Sequence, residues 1–254
     1  IVVFSNRVAK EHMEDCIDYL IRTERLRNEF YTAIAEDSAE DLISASSKDH
    51  PIVSSYLVKL LEFNKETYNS AYYIHFTKTV NSMLSEGEDA MMPVFKLKDD
   101  VIELSGLGVF KDFDLVYTFN NKEASILNLL NNFNVESVHF NKSCGDNQNV
   151  VIAAYKSNVS IEPSNDKISV KATINARISE STCDYDFKNA ETYLELENEF
   201  AQVIANEMDK VLKQFEVYKS NALSIGRGYY NKYRKKDFYL WRTQDIVYEI
   251  YLKI

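Results

Sequence analysis

From Ile168 to Ile178 every second residue is apolar: Ile168, Val170, Ala172, Ile174, Ala176 and Ile178. Between them stand Ser169, Lys171, Thr173, Asn175 and Arg177. A strict period of two is the signature of a β-strand with one face on a core and the other in water. Such a strand needs a neighbour and a cover. The neighbour is "NVVIAAYKSNVSIEP", which reaches it across the turn "SND". The cover is a long helix from about Asn189 to Tyr218, where Tyr193, Phe200, Ile204, Met208, Val211, Leu212, Phe215 and Tyr218 recur at helical spacing and acids fill the opposite side. Ile246, Tyr248, Ile250, Leu252 and Ile254 alternate again near the end and give a further strand. Residues 148–254 therefore read as an α+β domain with a long helix over its sheet.

Upstream, strand and helix alternate. "IVVF" is a short strand, and Ser5 caps a helix running to about Thr23, with Val8, Met13, Cys16, Ile17, Leu20 and Ile21 on one stripe. "NEFYTAIAE" is a strand, "SAEDLISAS" a short helix, and Pro51 opens the helix "IVSSYLVKLLEF". "NSAYYIHFTKTVNSMLSE" is an amphipathic helix closed by Gly87. Residues 1–97 are thus expected to form an α/β domain that lacks its own first part. Residues 98–147 are expected to form a small middle domain: two β runs around "KDFD", the helix "NKEASILNLLNNF" and a polar loop, "NKSCGDNQN". The fold class is α+β and multi-domain, with mixed or antiparallel sheets packed against helices.

With 6 Gly and 3 Pro among 254 residues, long structureless linkers are not expected. No apolar run reaches the roughly 20 residues that a membrane-spanning helix needs. The formal net charge of −10 argues against nucleic acid as a partner and against adhesion to anionic lipid by charge alone.

The chemistry-bearing residues are scattered. His12, His50, His75 and His139 have no second His or carboxylate at metal-motif spacing, so no metal site is assigned. Cys16, Cys144 and Cys183 are odd in number and lack CxxC spacing, and they are read as free thiols in the core or at the surface. Gly106 and Gly108 lie within a strand, where a bulge or close backbone approach explains them. Gly226 and Gly228 follow the long helix, where glycine ends helices and admits positive φ. Glu195, Glu197 and Glu199 read as a solvated charge run. No catalytic residue and no cofactor is expected.

The order of these features resembles the Ger(x)C family, the lipoprotein C subunits of the nutrient germinant receptors of spore-forming bacteria. The resemblance rests on "FSNRVAKEHMEDCIDYLIRTERLRNEFYTAIAEDSAEDLI", with Arg22 and Arg27 at the family's paired arginines. It rests also on "LSGLGVFKDFDLVYTFNNKEASILNLL", similar to the family's Gly-x-x-Val-Phe-Lys hairpin and following helix. "ISVKATINARISES", the long helix, the glycine-containing basic turn and Trp241 continue it. The family's signal peptide and lipid-modified cysteine have no counterpart here. The resemblance implies a non-enzymatic subunit of a membrane receptor, working beside A and B type integral membrane subunits. It would be anchored by acyl chains such as palmitate to the outer face of the spore inner membrane. A free extracytoplasmic solute-binding protein is the alternative.

Within "SIGRGYYNKYRKKDFYLWR", cations interleave with aromatics. Arg227, Tyr229, Tyr230, Lys232, Tyr233, Arg234, Lys235 and Trp241 are the candidate partner- or membrane-facing residues, since Tyr and Trp favour interfaces. The plainer reading is a helix-exit loop whose aromatics pack on the core while cationic stems cover apolar surface.

Overall fold

The computed structural model of the chain describes all residues except 24–28, 46–50, 68–74, 133–137, 165, 235–237 and 239. Its first sheet contains β1 (Val2–Ser5), β2 (Thr32–Ala35), β3 (Met91–Lys98), β4 (Val101–Lys111) and β5 (Asp114–Asn120), side by side in that order. β1, β2 and β3 run parallel, and β4 and β5 return antiparallel. Parallel strands need covering on both faces, which is why every residue of β2 is buried. One face meets α1 (Asn6–Glu11), α2 (Met13–Arg22) and α5 (Phe76–Leu84): Ala9, Met13, Ile17, Phe76 and Val80 close over Phe4, Ile34 and Val94. On the other face, α3 (Ala39–Ser44) and α4 (Val53–Thr67) lay Leu42, Leu57 and Leu61 on Ala33, Ala35 and Phe95.

Local chemistry sets the helix ends. The Ser5 hydroxyl accepts from the Val8 N–H, and the Ser38 hydroxyl from the Asp41 N–H. The single helix expected up to Thr23 is two, because His12 leaves helical geometry between α1 and α2. Ile21 accordingly falls outside the stripe and is exposed. Arg22 pairs with Asp18 one turn earlier at the surface, while Arg27 lies outside the described residues. Of the helix expected before Gly87, α5 is the described part; residues 68–74 lie outside it.

The second sheet orders β6 (Val138–Gly145), β7 (Gln148–Pro163), β8 (Lys167–Ser181) and β9 (Asp245–Lys253). β6, β7 and β8 are antiparallel, and β9 lies parallel to β8 at the edge. The alternating residues of β8 point as the pattern requires, Ile168, Val170, Ala172, Ile174 and Ala176 being buried. They meet α7 (Ala190–Val217), which Asn189 caps and which buries Leu196, Phe200, Ile204, Met208, Val211, Leu212 and Phe215. α6 (Asn121–Leu130), held by a reciprocal cap between Asn120 and Glu123, joins the same core. The α+β class and the long covering helix are as the sequence reads.

Among the described residues, 98–147, by contrast, form no sheet of their own. The β4–β5 hairpin completes the first sheet, and β6 opens the second. α6 shares a core with α7, Leu107, Val109 and Phe119, so the hydrophobic interior is continuous from one sheet to the other. The expected polar loop is also a correction. Asn141, Lys142, Ser143 and Gly145 are strand, paired with Val151, Val150, Asn149 and Gln148. This end of the hairpin is polar because its side chains are exposed or only half-buried, so polarity there does not mean a loop.

Cys144 and Cys183 are not thiols but a disulfide, with Cα atoms 6.1 Å apart. An odd count without a motif cannot reveal a pair brought together by a hairpin. Thr182 and Asn149 exchange hydrogen bonds alongside it. Cys16 alone is free, half-buried on α2.

Candidate functional site

The basic aromatic segment is helical rather than irregular. α8 (Ile225–Tyr233) starts at Ser224 and stops at Arg234, both with left-handed backbone. A 3-10 turn, Leu240–Thr243, follows. Gly226 and Gly228 sit inside α8 and do not end the preceding helix. Gly226 is required by approach: a Cβ there would stand 2.0 Å from the Phe238 carbonyl oxygen. Gly106 on β4 has the same cause, the obstacle being the Phe119 carbonyl oxygen.

The candidate surface residues divide. Tyr229 and Trp241 are each 1% exposed, so their side chains face the core. Tyr229 stacks at an angle on Tyr233, and Tyr230 lies 5.2 Å from the Phe238 ring. Arg227 is half-buried and donates to the Glu86 carbonyl at 3.0 Å. Lys232 is exposed, donates to the Pro163 carbonyl at 3.2 Å and sits over the Tyr233 ring. Arg234 is exposed; Lys235 lies outside the described residues. What faces outward is therefore a cationic rim of Lys232 and Arg234, with Tyr230 and Tyr233 half-buried beneath it.

Beneath this rim is a buried polar joint that no sequence motif announces. Asp89 is 5% exposed, and its carboxylate accepts from the Asp112 N–H at 2.7 Å and from the Asn221 N–H at 2.5 Å. The Ser220 hydroxyl donates to the Phe110 carbonyl at 2.7 Å. Asn221 in turn accepts from the Trp241 indole N–H at 2.8 Å. Residues that follow α7 are thereby fastened to the loop before β3 and to the β4–β5 hairpin. Burial pushes the Asp89 carboxyl up, against the opposing pull of the two N–H groups and the Lys111 charge. Trp241 reads from the sequence as partner- or membrane-facing, and only the plainer reading of its segment packs the aromatics on the core, where the side chain lies. Asp89 and Asn221 carried no signal beyond ordinary loop polarity.

The remaining chemistry stays dispersed. His12 is exposed beside Glu11, His75 stacks on Tyr31, His139 is exposed on β6, and His50 lies outside the described residues. Among the described residues no group of three His, Cys, Asp or Glu side chains is placed to hold a metal ion. The charge run on α7 is only partly solvated. Glu199 pairs with Lys142 on β6 at 2.8 Å, and Glu197 accepts from the Ile254 N–H at 3.0 Å. These acids fix the helix to both edges of the second sheet.

The helix-bridged pair of sheets has a counterpart among solved structures. The crystal structure of the GerBC protein superimposes on the whole chain, covering 78% of that structure at a TM-score of 0.74 and 15% identity. The chain belongs to the spore germination B3/GerAC-like family: the family's C-terminal domain matches residues 105–254, and the spore germination protein N-terminal domain matches residues 1–97. Spore germination protein GerQC of Bacillus cereus is 22% identical over 246 residues, spanning 94% of this chain and 68% of that protein.

Proposed function

We propose that this chain is the C subunit of a nutrient germinant receptor, a non-catalytic scaffold and signalling partner of the A and B type integral membrane subunits. The observation that carries the reading is the match of both halves of the chain to spore germination domains. No helix among the described residues is long and apolar enough to cross a membrane, which accords with a peripheral position. An acyl anchor at the N-terminal end would hold the acidic body at the outer face of the spore inner membrane, each buried methylene contributing about 0.8 kcal/mol. The Cys144–Cys183 disulfide favours an oxidising compartment and so the outer face.

In this reading the Lys232 and Arg234 rim is the contact for receptor subunits. Deleting the gene in a sporulating host should abolish nutrient-triggered germination and leave nutrient-independent germination intact; loss of neither, or of both, refutes the role. Reversing Lys232, Arg234 and Lys235 to Glu should reduce co-purification with the membrane subunits. Unchanged receptor assembly and unchanged liposome co-sedimentation would assign the rim to packing alone.

A further inference from the structure

Of the four sheet edges among the described residues, three are blunted in ways that keep foreign strands off. β1 is only four residues long, β5 carries an extra residue at Val116, and β6 carries one at Cys144. β9 has none of these devices. Its pairing with β8 runs from Asp245 to Lys253 without a register shift, and it contains neither Pro nor Gly. Its core-facing side chains Ile246, Tyr248, Ile250 and Leu252 are only half-buried, whereas Ile168, Val170, Ala172 and Ile174 beside them on β8 are at most 1% exposed. The inner face of this edge is an unfinished core. On the outer face stand Val247, Glu249, Tyr251 and Lys253, and Tyr251 is 63% exposed.

We propose that β9 is the contact between two copies of this chain, paired antiparallel about a two-fold axis at Tyr251, so that two four-stranded sheets become one. The strand's own sequence selects this occupant and this register. In a pair centred on Tyr251, each Glu249 stands opposite the Lys253 of the second copy, Tyr251 meets its equivalent, and Ile250 meets Leu252 on the inner face. Opposite charges and aromatic pairs set across two strands are favourable. A centre at Glu249 would instead set that carboxylate against itself. A second copy supplies the matching acid, aromatic and base by symmetry. The helix above leaves room for it. On α7, Glu197 accepts from the Ile254 N–H at 3.0 Å and Asp209 from the Tyr248 hydroxyl at 3.1 Å. These two acids end an i,i+4 row whose middle members are Ala201 and Ala205. Small side chains there let two α7 helices approach across the axis. The contact does not depend on the receptor role proposed above.

The test is sedimentation equilibrium of the folded chain over a wide range of concentrations. A monomer–dimer equilibrium with a Kd on the order of 10–100 μM is expected, the weak end for a small interface. Lys253→Glu and Glu249→Lys should each weaken it about tenfold or more, because each sets like charges opposite one another at two positions. Mixed in equal amounts the two variants should pair, since the acidic copy then meets a basic one at both positions. Tyr251→Cys in a Cys16→Ser background should form a covalent dimer when an oxidant is added. Directly opposed residues of antiparallel strands have Cα atoms about 4.5–5.5 Å apart, within disulfide reach. Val247→Cys in the same background should not. A chain that stays monomeric at every concentration would overturn the proposal and leave the edge to another strand or to water. Variants that dimerise as the wild type does, or that fail to pair on mixing, would overturn it too.

Discussion

Gly226 and Gly228 stand two positions apart on one helix and obey opposite rules. At Gly226 an added methyl meets the Phe238 carbonyl oxygen at 2.0 Å, a backbone atom that cannot rotate away. Gly226→Ala should therefore cost about 2–3 kcal/mol, as overpacking of a closed site does. At Gly228 the same methyl would lie 3.8 Å from the Pro163 ring, an ordinary contact. Gly228→Ala should stabilise by about 0.5–1 kcal/mol, because alanine loses less backbone freedom than glycine in a helix. Chemical denaturation of the two variants checks both signs. Sequence alone placed this pair in a loop. Glycine lowers helix propensity, and only the packing of Ile225 and Tyr229 with the Phe238 backbone overhead shows why a helix forms there.

At the scale of elements, the β6–β7 hairpin and the start of the α7 connection are joined by the Cys144–Cys183 bond across 39 residues. Closing a loop of that length removes unfolded-chain entropy worth at most about 4 kcal/mol. Replacing both cysteines by Ser should lower the unfolding midpoint, and a reducing agent should lower that of the wild type but not of the double variant. An identical midpoint with and without reductant would show that the bond does not contribute. The strands β7, β8 and β9 and the helix α7 were readable to within a residue or two, since periods of two and 3.6 report which side chains are buried. The hairpin tip was not. Its residues are exposed or half-buried, and a pattern of burial says little where burial is slight.

Across the whole molecule, the two sheets are tied through α6, α7 and the joint at Asp89. The joint carries a pH signature. Because the folded Asp89 carboxyl lies above its ordinary value, its contribution to stability is fully present below about pH 4 and is lost as pH rises through the folded value. Asp89→Asn keeps the shape but sets an NH2 group against one of two backbone donors, and should cost about 1–3 kcal/mol. The deficit relative to wild type should be largest near pH 4 and shrink toward neutrality, as read by urea unfolding at each pH. A deficit constant with pH would place the charge of Asp89 outside the energetics of the joint.

The amino-acid sequence by itself determined the long strands of the second sheet, its covering helix, the α+β class and the resemblance to the family, because strong periodicity and the order of elements suffice for these. Tertiary structure alone decided that 98–147 divides between two sheets, that two cysteines are bonded, and that Tyr229 and Trp241 face inward. The physical reason is distance along the chain. Asp89 meets Asn221 across 132 residues, and no local pattern of hydrophobicity or charge encodes which remote backbone donor a buried carboxylate will find.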